Sequence, residues 1–315
     1  MYTQYILLFA LMFTGYFFRK INFIDNTMNN GINRLIVYFA YPCLIVHNIG
    51  NLEMNKGLLI EFMLMVGVSV VTFTIYSVYA YYYSKVRKFP KKSSNIVEFS
   101  TIMPNDGFMG FPVALLFLGE KGLFFMLAHN VAMNLFCFTY GYKLVRRNKE
   151  GQRKLTPKAL TKAIFRLIVN PNILALILGL TISIIGVKLP QPVDDYLVYI
   201  GNIVTPMAMI FIGSTLAKCK VKEIMKNHIV IEASINKLII LPIITFGAVM
   251  FLPLSQELKA MVILGCCFPT AATVSMIAQQ EGEDQKMSSM ILFLSTVLSL
   301  VTIQIAMNML TTWIL

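Results

Sequence analysis

Apolar runs of near-uniform length alternate with short polar stretches along this chain. They lie near residues 3–18, 33–50, 57–83, 96–118, 122–145, 165–187, 195–217, 229–252, 258–280 and 287–311. An α-helix needs about 20 apolar residues to cross a bilayer core, so the pattern predicts ten membrane helices. One run is interrupted from within: Ile102-Met-Pro-Asn-Asp-Gly-Phe-Met-Gly-Phe-Pro112 holds two prolines, two glycines, an amide and a carboxylate. Pro104 has no N–H for the carbonyl of Ser100 and Pro112 has none for Phe108, while Gly107 and Gly110 tolerate the backbone angles of a break. Non-helical backbone at membrane depth survives only where it is buried in protein or lines a wet cavity. The fourth helix is therefore expected to be broken beside a polar cavity near the midplane.

Composition agrees with this pattern. The 315 residues are 57% hydrophobic and 13% charged, too apolar for a soluble domain. A net charge of +12 would point to nucleic acid in a soluble protein. Here the basic residues sit between apolar runs, so they read as membrane orientation and imply no nucleic-acid partner. Loops assigned alternately to two faces put 22 Lys and Arg on one face and 4 on the other, with Lys237 inside a run. The basic face is expected to be cytoplasmic and both termini outside, in the plasma membrane of the cell. The run from Tyr5 to Phe18 has its basic pair, Arg19 and Lys20, after it, the reverse of a signal peptide, and reads as a first membrane helix.

The polar, basic stretch 146–164 separates residues 1–145 from 165–315, five runs on each side. If the halves are related, an odd number per half makes them cross the membrane in opposite senses, an inverted repeat. Pro42 and Pro206 are 164 residues apart, and Pro104 and Pro269 are 165 apart. The expected fold is an all-α integral membrane protein of ten helices in a 5+5 inverted repeat, with broken helices four and nine crossing at its centre.

The candidate binding residues follow from the breaks. After Pro104 a new half-helix presents unpaired N–H groups suited to an anion, and Asn105 adds a side-chain donor. Asp106 reads either as a proton or cation coupling site or as a cap on the half-helix facing cavity water. In the ninth run Pro269 frees the carbonyl of Gly265, and Thr270, Thr273 and Ser275 offer hydroxyls; the alternative is ordinary small-residue packing. Asn130 and Asn134 lie on a small, polar stripe of the fifth helix, and Ser288, Ser295, Ser299 and Thr302 form a similar stripe on the tenth. Both stripes suit close helix packing, and the two asparagines are also candidates for ligand contact. Glu232 and Lys237 read as side chains reaching toward the interface, with an intramembrane role as the alternative. Neither Cys43, Cys137, Cys219, Cys266 and Cys267 nor the scattered His47, His129 and His228 has the spacing of a metal site, so no metal or cofactor is expected. No HExxH, GxSxG or GxxxxGK stretch occurs, which argues against an enzyme or an ATP-driven pump.

Met103-Pro-Asn-Asp-Gly-Phe-Met-Gly-Phe-Pro112 with Leu118-Gly119, Tyr38-Phe-Ala-Tyr-Pro42 and the proline of the ninth run resemble the auxin efflux carrier family, in the superfamily that includes bile-acid sodium symporters. The resemblance covers nearly the whole chain. It implies a scaffold of helices 1, 2, 6 and 7 that forms a homodimer, and a mobile, elevator-like transport domain of helices 3–5 and 8–10. It also implies that Asn105 faces a substrate carboxylate. The short central loop is similar to that of prokaryotic members, which are associated with dicarboxylates such as malate and malonate. The expected function is a secondary carrier of small organic anions in contact with membrane lipid, binding at Pro104, Asn105, Asp106, Gly107, Asn130, Asn134, Pro269, Thr270 and Thr273. The rivals are a sodium-coupled symporter of the same fold and a membrane receptor without transport, which would need an output domain that no loop here is long enough to hold.

Overall fold

The computed structural model describes residues 2–147, 161, 165, 169–218 and 221–313. The predicted loop 146–164, the start of the sixth run and Cys219 lie largely outside them. All regular structure among the described residues is helical, apart from one isolated bridge between Pro104 and Thr270. Among the described residues six helices are long and apolar enough to cross a membrane: Asn26–Gly50, Lys56–Val86, Asp106–Val145, Gln191–Leu216, His228–Met250 and Gln285–Thr312. Helix Tyr2–Lys20 is 19 residues long and Pro171–Ile185 is 15, while Lys91–Ile102 and Gln256–Cys267 have 12 each.

Local chemistry sets the ends and irregularities of these helices. Asp25 and Asn227 accept backbone N–H groups of the first turns that follow them, the usual service of an N-cap. Gly186 closes helix Pro171–Ile185 in the left-handed conformation. Three prolines each follow a π-helical turn: Ile36–Ala40 before Pro42, Asp106–Gly110 before Pro112, and Asn236–Ile240 before Pro242. A proline ring clashes with the carbonyl four residues back. Widening the turn accommodates it, so the Tyr41 N–H bonds the carbonyl of Ile36 and that of Leu241 the carbonyl of Asn236. The long run Asp106–Val145 is itself interrupted at Leu118 and at Gly119, whose φ of +60° favours glycine.

The chain forms two compact units. The first comprises Met1–Phe62, Gly107–Leu127 and Leu167–Lys218. Within it helix Tyr2–Lys20 packs along Val204–Leu216, and Tyr41–Gly50 packs on Pro171–Ile185 and Gln191–Asn202. The first pairing depends on missing side chains: a Cβ on Gly15 would lie 2.1 Å from the carbonyl oxygen of Ile210, and one on Gly213 would lie 1.8 Å from that of Met12. Small residues let membrane helices approach this closely, where dispersion replaces the hydrophobic effect as the main attraction. Tyr41 packs edge-on to Phe111 and donates its hydroxyl to the carbonyl of Gly107.

The second unit comprises Met63–Asp106, Ala128–Arg166 and Cys219–Leu315. Helix Gln285–Trp313 runs through it and touches Lys91–Ile102, His228–Ile235, Gln256–Cys267 and Ala272–Gln280. Phe73, Tyr76, Phe99, Met103, Leu241 and Val274 are among its buried core. Most of the candidate residues lie in this unit.

Candidate functional site

Helix Lys91–Ile102 ends where Pro104 can no longer donate, and Met103 turns extended at φ −86°, ψ 112°. Helix Gln256–Cys267 ends in the same way before Pro269, with Phe268 at φ −71°, ψ 146°. The two extended pieces run antiparallel. The Asn105 N–H donates to the carbonyl of Pro269 at 2.8 Å, and the Ala271 N–H donates to that of Met103 at 3.0 Å.

The backbone groups released by the prolines find side-chain partners. The Thr270 hydroxyl donates to the carbonyl of Ser100 at 2.8 Å, the group that Pro104 leaves without an amide. The Thr270 N–H donates to Ser295 Oγ at 3.2 Å, and Lys237 Nζ donates to the carbonyl of Ile102 at 3.3 Å. Each such group left unpaired in the interior would cost about 1–3 kcal/mol, so these three contacts let a non-helical crossing persist away from water. Lys237 is wholly buried, which overturns the reading that it reaches the interface. Its positive charge instead faces the carbonyl end of a helix, where a cation is favoured. Glu232 pairs with Arg87 and Tyr83.

Asp106 opens the turn that follows the crossing. It is fully buried, and its Oδ2 lies 2.8 Å from Nδ1 of His129, a residue on the helix Phe111–Phe136 that is equally buried. The reading of Asp106 as a cap facing cavity water does not hold. The His129 ring stands 5.0 Å from that of Phe73, and a Cβ on Gly265 would lie 2.9 Å from its Nε2. Asp106 Oδ1 and His129 Nε2 have no hydrogen-bond partner among the described residues. A nitrogen and an oxygen at that distance share one proton, carried either by His129 Nδ1 or by Asp106 Oδ2. The second unit thus buries the side chains of Asp106, His129 and Lys237 close to the crossing.

Pro104, Asn105, Pro269 and Thr270 come together at the crossing, all buried. Asn130 follows His129, and the Asn134 amide donates to both the backbone and side-chain oxygens of Asn130 at 2.9 and 2.8 Å. Those two asparagines brace each other along one helix. Thr273 is half-buried in the first turn of Ala272–Gln280, and Gly107 belongs to the first unit. Of the serine stripe on the last helix, Ser295 is the member that reaches the crossing. Sequence reasoning missed His129; the available signal was a second titratable side chain in an apolar run adjoining the one that holds Asp106.

A helical chain with several membrane-length helices and buried polar groups at a crossing of extended backbone has the make-up of a polytopic membrane protein. The family described as "Membrane transport protein" matches residues 1–307, and the chain belongs to it, the auxin efflux carrier family, as a membrane transporter. Among similar proteins, one of Rhizobium meliloti (strain 1021) named "Putative malonate transporter" is 26% identical over 308 residues, covering 94% of this chain and 91% of that one. An uncharacterized transporter of Methanothermobacter thermautotrophicus is 23% identical over 299 residues, 93% of each chain. One of Methanocaldococcus jannaschii is 23% identical over 311 residues, 95% of each.

Proposed function

We propose that this chain is a secondary carrier of small organic anions, carboxylates above all, working by alternating access. The observation that carries the reading is the antiparallel crossing of Met103–Asn105 with Pro269–Ala271, followed by a turn whose first N–H groups follow Asn105. Discontinuous membrane helices of this kind bind anionic substrate groups at their half-helix N-termini. The relative named for malonate supports a carboxylate. The substrate contacts are Asn105 with the backbone from Pro104 to Gly107, Thr270 and Thr273 with Pro269 opposite, and Asn130 and Asn134 beside them. Coupling is to a proton or to no ion, and Asp106 with His129 is the pair able to hold the proton.

The proposed architecture has ten spans in a 5+5 inverted repeat. Span four runs from Lys91 through the crossing to the interruption at Leu118 and Gly119, and span nine from Gln256 to Gln280. The compact units support a scaffold of spans 1, 2, 6 and 7 and a transport domain of the remaining spans, with one departure: residues 107–127 cluster with the first group. The protein is a homodimer in the plasma membrane with both termini outside. Single cysteines at Asn148 and Asn51 test the orientation, since only the Asn51 site should react with an impermeant maleimide in intact cells.

Function is tested by counterflow of radiolabelled malonate and a wider panel of acids in proteoliposomes. Saturable exchange is the expected result. No flux for any acid would leave a receptor as the better reading.

A further inference from the structure

A second site, unconnected with the crossing, lies in the same unit at the end of helix Lys56–Val86. A cavity of about 400 Å³ is lined there by Tyr81, Lys85, Lys88, Asn95, Glu98 and Arg147, among others. Glu98 is almost wholly buried, and its carboxylate is fully answered. Arg147 donates to both oxygens at 2.9 and 2.8 Å, while Ser84 and Ser94 donate to Oε1 at 2.7 and 3.3 Å. Three of these donors meet at Oε1 and one reaches Oε2, so both oxygens are answered.

The two lysines and the Asn95 amide donor have no such partner among the described residues. Lys85 and Lys88 are exposed and make no ion pair among the described residues, with Lys85 standing 5.9 Å over the ring of Tyr81. The Arg147 guanidinium lies over the same ring at 5.6 Å and has more N–H groups than the two that Glu98 takes. Asn95 is 1% exposed, and its Nδ2 donor has no partner among the described residues. Three cations against one carboxylate leave the cavity at +2. A buried amide donor in a positively charged cavity is short of an acceptor that carries negative charge.

We propose that this cavity binds a phosphoryl group, with the headgroup of an anionic phospholipid as one source and free phosphate as the other. A tetrahedral phosphoryl oxygen set can meet Lys85, Lys88, Arg147 and the Asn95 amide from different directions. The cavity lies at the end of a 31-residue apolar helix, the depth at which headgroups meet basic side chains. Each lysine near an anionic surface strengthens binding several-fold, and two together by roughly 30-fold.

The test is thermal unfolding of the purified full chain in a neutral detergent, titrated with phosphatidylglycerol, phosphatidylcholine or inorganic phosphate. Phosphatidylglycerol should raise the melting temperature saturably and phosphatidylcholine should not. Lys85→Gln/Lys88→Gln should weaken the apparent affinity roughly 30-fold. Lys222→Gln/Lys226→Gln, at two exposed lysines elsewhere in the same unit, should leave it within about 3-fold. The melting temperature of each variant without lipid separates a folding defect from a binding one. Stabilisation by phosphate alone assigns the free ion, and stabilisation by phosphatidylglycerol alone assigns the lipid; either upholds a phosphoryl site. An equal response to phosphatidylcholine, or equal weakening in both double variants, overturns it.

Discussion

His129 Nδ1 and Asp106 Oδ2 lie 2.8 Å apart in a place where neither side chain meets solvent. A charge taken out of water is stabilised only by a partner with good geometry, and removing one member strands the other. His129→Leu should therefore destabilise the protein by about 3–5 kcal/mol. Asp106→Asn removes the charge but keeps an oxygen that can accept from His129, and should cost less, about 1–3 kcal/mol. A double-mutant cycle on unfolding in detergent should give a coupling of about 0.5–3 kcal/mol. Strictly additive effects would mean that the pair does not interact as described.

The Thr270 hydroxyl serves the Ser100 carbonyl that Pro104 leaves unpaired. Thr270→Val keeps the shape and removes the donor, so it should lower stability by about 1–3 kcal/mol. Thr270→Ser keeps the donor and should stay within about 1 kcal/mol of the parent. Equal melting temperatures for the Val and Ser variants would show that the carbonyl is satisfied in another way.

Gly265 and Gly247 make a matched comparison within one unit. An added methyl at Gly265 meets the His129 ring at 2.9 Å, whereas one at Gly247 meets nothing within 4 Å. Gly265→Ala should cost about 1–3 kcal/mol from overpacking. Gly247→Ala, in a helix interior, should be neutral or stabilise by up to about 1 kcal/mol. Thermal unfolding of the two variants side by side is the measurement, and the reverse order would contradict the packing around His129.

Much of this was legible in the sequence because apolar length and proline chemistry are local. The runs around Lys56–Val86, His228–Met250 and Gln285–Thr312 could be read from hydropathy. Pro104, by its place in the chain alone, marks the Ser100 carbonyl as lacking its helical amide. What answers that carbonyl could not be read, since Thr270 is 170 residues away and only the fold brings it near. The same limit hid His129, whose partner is 23 residues distant on another stretch of helix. Lys237 was misread for a related reason: a lysine in an apolar run looks like one that reaches for water until a helix-end carbonyl is found beside it. Asn134 and Asn130, four residues apart, share one helix face as their spacing implied, and the Asn134 amide donates to the Asn130 side chain.

The central claim is that the turn after Pro104 holds a substrate carboxylate and that the Asn105 side chain orients it. A hydrogen bond to a charged group is worth about 1.5–3 kcal/mol, so Asn105→Ala should weaken carboxylate binding roughly 10- to 150-fold. The backbone bond from Asn105 to Pro269 does not involve the side chain, so the crossing should survive the change. The direct measurement is counterflow of the best acid in proteoliposomes, as a function of its concentration, for the parent and Asn105→Ala, with melting temperatures of both. The account predicts a half-saturating concentration raised by that factor at nearly unchanged stability. Unchanged counterflow, or loss of transport only through loss of the folded protein, would contradict it.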